Sequence, residues 1–166
     1  MMSKRKKKTW NLLKAAAFGC LVVALLLPVS AQAMSVSASG AKTSPPPGNI
    51  IVYSSTFDPN HKYLSDGVTV LSSGGSGTVS VTGKTTASQK VDTIGVKWKL
   101  EKWTGTSWVE VASTPDYTDT NTTNVAAIWS YKGSSGYYYR VISTHWAIKS
   151  GVREEGTRTS DSYLIN

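Results

Sequence analysis

Ile94-Gly95-Val96-Lys97-Trp98-Lys99-Leu100-Glu101-Lys102-Trp103 is the stretch on which the fold turns. Ile94, Val96, Trp98 and Leu100 share one parity, and Lys97, Lys99, Glu101 and Trp103 share the other. A period of two belongs to a β-strand, whose alternate side chains point to opposite faces, so the first set is expected in a core and the second toward solvent. Thr104-Gly105-Thr106-Ser107 then reads as a hairpin turn into Trp108-Val109-Glu110-Val111.

The same grammar extends in both directions. Upstream, Val68-Thr69-Val70 alternates, Ser73 to Gly77 supplies a turn, and Val79 and Val81 alternate with Ser80 and Thr82. Downstream come a strand from Thr122 to Trp129 and a turn at Gly133-Ser134-Ser135-Gly136. The long run Tyr137 to Trp146, a turn at Ser150-Gly151 and a closing segment from Thr157 to Ile165 complete the chain. No window here sustains a helical period. Six or seven short strands between turn residues predict an all-β domain over 66–166: an antiparallel two-sheet β-sandwich of about seven strands, with a barrel as the rival. The strand order is similar to that of immunoglobulin and fibronectin type III sandwiches. In those, a Tyr entering the penultimate strand bonds back to the backbone, a role open here to Tyr137 or Tyr139. That likeness is architectural and carries no activity.

The N-terminal part has a different character. A basic run from Ser3 to Lys8 precedes an apolar run from Leu12 to Leu27, which Pro28 ends, and Ala31-Gln32-Ala33 offers a small-residue cleavage site. Residues 1–33 therefore read as a signal peptide, with a retained N-terminal anchor as the alternative. Export follows, to a secreted or extracellular location, with no membrane attachment once the signal is removed. Residues 34–49, rich in Ser, Ala, Gly and Pro, read as a flexible leader. Residues 50–65 are expected to form an arm or an edge strand.

Charge and cysteine content narrow the function classes. The formal net charge is +8, but six of the eighteen basic residues lie in the first fourteen positions. From residue 34 onward twelve Lys and Arg face ten Asp and Glu, a net of +2. So balanced a surface does not hold a phosphate backbone by counter-ion release, and no nucleic-acid partner is expected. Cys20, the single cysteine, lies inside the apolar run, so the exported part has no disulfide and no thiolate metal site.

Catalysis would need a nucleophile with its base, two placed carboxylates, or a metal. No Gly-x-Ser-x-Gly elbow, phosphate-binding Gly loop or His-Glu-x-x-His helix occurs, so the expectation is a non-enzyme without a catalytic residue, metal or cofactor. His61 and His145 are the two histidines. His145 shares the parity of Tyr137, Tyr139, Val141 and Ser143 and reads as a strand-end residue satisfied locally, in preference to a triad base. Asp58-Pro59-Asn60-His61 and Asp116-Tyr117-Thr118-Asp119 carry oxygen donors without the spacing of a calcium loop, and read as turns. Glu154 and Glu155 are adjacent on a strand and point to opposite faces; either is expected to pair with Arg140 across neighbouring strands.

Aromatic content is the feature in excess. Five tryptophans and all eight tyrosines lie beyond residue 33. With Tyr137, Tyr139 and Val141 inward, parity sets Tyr138, Arg140, Ile142 and Trp146 outward, and Trp103 lies on the outer parity of its own strand. Trp103, Tyr138, Arg140 and Trp146 are thus the candidate binding residues. Such a face suits a cell-wall glycan, by stacking of pyranose C–H faces, or a protein partner. A cover over this strip, with Ile50 to Tyr63 as the segment long enough to form it, is the competing expectation.

Tyr63-Leu64-Ser65, Gly77-Thr78-Val79-Ser80-Val81, Val91-Asp92-Thr93-Ile94-Gly95-Val96, Gly136-Tyr137-Tyr138-Tyr139-Arg140-Val141, His145 and Glu154-Glu155 carry a further likeness. On these residues, over about 60–166, the chain resembles a family of small secreted β-rich proteins from Gram-positive bacteria known as a domain of unknown function. The resemblance implies export and a β-rich domain, and it lends no activity. Together these readings lead to a secreted, monomeric, non-catalytic binding module at or near the cell envelope. An exported antagonistic protein of the bacteriocin type is the alternative.

Overall fold

The structure is a computed structural model that describes residues 40–48 and 57–166, all within the compact unit Met34–Asn166. The signal-peptide reading of 1–33, the leader residues 34–39 and 49, and residues 50–56 of the expected arm lie outside the described residues. Seven strands are found: β1 (Leu64–Gly75), β2 (Thr78–Trp103), β3 (Trp108–Ser113), β4 (Tyr117–Lys132), β5 (Tyr137–Lys149), β6 (Val152–Thr159) and β7 (Tyr163–Ile165). Every pairing is antiparallel. The all-β expectation and the strand number are met.

The seven strands share one hydrogen-bonded sheet: β2 pairs with β1, β3, β4 and β5, and β5 in turn carries β6 and β7. The sequence suggests separate strands near Val79 and near Ile94; the chain instead continues for 26 residues. The first half of β2 pairs with β1 on one side, from Thr78 to Ala87, and its second half pairs with β5 on that side, from Thr93 to Lys102. β4 and then β3 occupy the other side. The handover falls at Ala87–Lys90, where the β4 register jumps from Thr86↔Asn124 to Val91↔Thr122. Extra residues on one strand of a pair bend it and sharpen its twist. Here that bend curls the sheet, so that β1 comes to face β5.

The inner face encloses the core. Leu71, Val79, Val81, Val96, Trp98, Leu100, Tyr139, Val141 and Ile165 form one buried cluster, and Leu64, Ala87, Val91, Ile94, Val125 and Ala147 form a second. All four residues of the first parity set are therefore buried. Two glycines set how closely the layers approach. A Cβ on Gly83 would stand 2.7 Å from Cζ2 of Trp98 and one on Gly67 would collide with the His145 ring, so both rings rest on bare backbone. Of Tyr137 and Tyr139, it is Tyr139 whose hydroxyl meets nearby backbone, accepting the Ser134 N–H at 2.8 Å.

Candidate functional site

Trp103, Tyr138 and Trp146 stand on the outer parity of their strands, as alternation requires, yet they are not open to solvent. Their exposures are 6%, 9% and 4%. The expected open aromatic face is corrected by these values, and each ring has its own cover. Trp146 lies directly opposite Gly95 in the β2–β5 register, and a Cβ on Gly95 would strike the indole, so the ring fills the space that the missing side chain leaves. The Arg153 guanidinium closes it from above, 4.3 Å from the ring centre, and is itself held by Glu155 at 2.7 Å. Tyr138 is paired with Leu164 of β7, which runs along the end of β5.

Trp103 is covered by the segment expected to be a flexible leader. Its indole N–H donates to the Ser44 carbonyl at 3.1 Å. The Lys42 N–H donates to Gly136 O at 2.7 Å, and the Lys42 ammonium sits over the Tyr137 ring at 5.5 Å. Pro46 is buried. Residues 40–48 therefore form a strap seated across the turns at Gly105 and Gly136. The competing expectation had named Ile50 to Tyr63 as the cover; of these, the described Phe57 packs instead on Gly156 and near His145, with a ring separation of 5.9 Å.

Arg140 remains half-exposed, but its charge is committed. Its Nη2 and Nε both lie 2.7 Å from Glu101 Oε2, and its guanidinium stacks 4.4 Å over Trp108. Lys99 joins the same carboxylate at 3.3 Å. The expected pairing of Arg140 with Glu154 or Glu155 is thus replaced by one with Glu101, its direct neighbour across β2 and β5. Glu154 has a different task. Its carboxylate accepts the backbone N–H groups of Lys62, Tyr63 and Leu64 at 2.7–2.8 Å, pinning the start of β1 to β6. Burial alone would raise its pKa; the three N–H donors and the charge of His61 outweigh that, and the carboxyl is lowered.

His145 lies in mid-strand, fully buried, in a polar cluster that parity alone does not reveal. Thr85 Oγ1 donates to Gly95 O at 3.1 Å and so accepts the His145 Nδ1 proton at 2.7 Å. Nε2 then serves as acceptor for Thr69 Oγ1 at 3.2 Å, while Ser143 Oγ, whose own proton goes to Arg158 O at 3.2 Å, lies 2.9 Å from it. Burial, then the positive charge of Arg158, lower the His145 pKa to about 4, against the partial opposition of Asp66. Ser143 and His145 stand at the distance of a nucleophile and its base. Both are wholly enclosed, and Thr85 holds the second ring nitrogen where a triad would place a carboxylate. What this arrangement accomplishes is to satisfy a neutral imidazole within the fold. Among the described residues no group of three His, Cys, Asp or Glu is placed to hold a metal ion. Asp58 accepts the N–H of Asn60 at 2.8 Å and forms the turn read from its sequence.

The surface that is open lies on the other part of the sheet. On the outer face of β1, β2 and β4, register aligns Val70 with Thr82 and Ile128, and Val68 with Lys84 and Ala126. Val68, Val70 and Ile128 are 50%, 56% and 71% exposed. Alternation places Val68 and Val70 on one face of a strand, but their alignment with Ile128 is set by the pairing of β1 and β4 on either side of β2, which the sequence does not disclose.

No family model matches the chain, and no curated protein is found similar to it. Among solved structures, it is similar to Spo0M, a sporulation control protein from Bacillus subtilis, with a TM-score of 0.38 and 10% identity. The match covers 61% of this chain and 49% of that one, so the chain spans about half the length of Spo0M.

Proposed function

We propose that the chain is an exported, non-catalytic interaction module that docks a protein partner on the outer face of β1, β2 and β4. The observation that carries this reading is the pair Val70 and Ile128, aligned across Thr82 with Val68 beside them, left open to water on the outer face of the sheet. Exposed apolar side chains grouped on one face and rimmed by polar ones favour protein contact. Ser72, Ser80 and Ser130 supply the rim in the next register row. A protein partner is favoured over a cell-wall glycan because sugar stacking needs open rings. Of the large hydrophobic side chains exposed among the described residues, Tyr163 alone is aromatic.

The basic run, apolar run and small-residue site of 1–33 support export, and enclosure of the Ser143–His145 pair supports a non-catalytic role. The facing of β1 and β5 across one core supports a sandwich-like reading of the curled sheet, and with it the kinship to the small secreted β-rich family. Photo-crosslinking from position 128 on envelope fractions tests the proposal. A discrete protein adduct that falls about tenfold with Val70→Lys is expected; adducts that Val70→Lys leaves unchanged, or none at all, would reject it.

A further inference from the structure

The strap that closes the aromatic end of the sheet is itself informative, because it shows what that surface binds. Ser44-Pro45-Pro46-Pro47 forms no regular hydrogen-bonded structure, and proline fixes φ near −65°, close to the roughly −75° of the polyproline II helix. That helix has three residues per turn, so residues three apart share a face. Within 43–47, Pro46 is buried and Thr43, three before it, is half-buried with its Oγ1 enclosed; Ser44 and Pro47 are exposed, and Pro45 is half-buried. The carbonyls of such a helix find no partner within it and remain free to accept. Trp103 uses one of them, its indole N–H meeting Ser44 O at 3.1 Å. Trp108 packs on Trp103 at 5.4 Å, extending the aromatic surface. An indole N–H that reads a carbonyl beside proline, within an aromatic seat, is the general chemistry by which extended proline-rich segments are recognised.

We propose that the Trp103 seat is a binding site for proline-rich extended peptide segments, kept closed in cis by residues 43–47. A partner carrying consecutive prolines would enter when the strap leaves. This site is distinct from the aliphatic face of β1, β2 and β4 and does not depend on it. The strap competes as a tethered ligand, and short tethers give effective concentrations of about millimolar order. A free peptide must overcome that before it occupies the seat. Thr43 Oγ1, buried without a hydrogen-bond partner, marks where a partner sequence with a better-matched side chain could bind more tightly than the strap itself.

The test titrates a labelled peptide copying residues 41–48 into the full chain, read by fluorescence anisotropy. The triple variant Pro45→Ala, Pro46→Ala, Pro47→Ala weakens the strap and is expected to bind this peptide about tenfold more tightly than the unaltered chain. Adding Trp103→Phe, which keeps a ring but removes the N–H, is expected to reverse the gain, and a control peptide with alanine for each proline is expected not to bind. Equal binding by the unaltered and triple-variant chains, indifference to Trp103→Phe, or equal binding of the control peptide would each overturn the proposal. Should the triple variant not fold, the same question is put to the unaltered chain by NMR. Millimolar peptide is expected to shift the Trp103 indole N–H resonance, and a resonance that does not move rejects the site.

Discussion

His145 shows how one side chain can tie stability to pH. Its imidazole is neutral in the fold, with a pKa of about 4 against an ordinary value of 6.5. Between those values the unfolded chain binds a proton that the folded chain refuses, so stability rises with pH across the window and is lost as pH falls from about 6.5 to about 4. The gap sets an upper bound of about 3 kcal/mol for this group. Urea unfolding followed from pH 7 to pH 4 is expected to show such a decline, and the ring resonances of His145 to titrate near pH 4; titration near 6.5 would contradict the buried, hydroxyl-lined site. Glu154 acts in the opposite sense of charge. Its lowered pKa means that its contribution is present above the ordinary carboxyl range and fades as pH falls through it. Glu154→Gln is expected to speed hydrogen exchange at the amides of Lys62, Tyr63 and Leu64, since a neutral acceptor holds them less firmly. Removal of the Tyr139 hydroxyl by Tyr139→Phe leaves the Ser134 N–H unpaired and is expected to cost about 1 kcal/mol in chemical denaturation.

β2 carries most of the architecture, and its two glycines are where that can be probed. Gly83→Ala sets a methyl against Trp98, and Gly95→Ala sets one against Trp146. Overpacking of this kind costs about 1–3 kcal/mol, so each variant is expected to unfold at lower denaturant, the second also turning Trp146 out from under Arg153. Unchanged midpoints would show that the rings have room to spare. This element also marks the boundary of what its sequence discloses. Alternation assigned Ile94, Val96, Trp98 and Leu100 to the core correctly, because strand geometry leaves no other choice. It placed Glu101 and Trp103 on the outer face correctly too, but parity specifies direction and not cover. The outer face is closed by Arg140, Arg153, Trp108 and the strap, which come from elsewhere in the chain. The joining of two expected strands into one was hidden for a similar reason. Lys84-Thr85-Thr86-Ala87-Ser88-Gln89-Lys90 is polar in composition, and only its pairing with β1 and β4 makes its first part a strand interior.

At the scale of the whole molecule, one curled sheet presents two unlike outer surfaces. The part built on β1, β2 and β4 leaves aliphatic side chains open, and the part built on β2, β3 and β5 is sealed over its aromatic rings. Composition made 34–49 look like a free leader, since Ser, Ala, Gly and Pro bury little. The three prolines work against that reading in 40–48: they restrict the unfolded chain in advance, so docking costs less conformational entropy than the composition suggests. The closed aromatic end depends most directly on the docking of the strap at Trp103. Hydrogen exchange of the tryptophan indole N–H groups in the full chain, read by NMR, decides it. Slow exchange at Trp103, with close-range contacts from its indole to Ser44 and Pro46, is the expected result. Rapid exchange at Trp103 with random-coil shifts for residues 40–48 would contradict it.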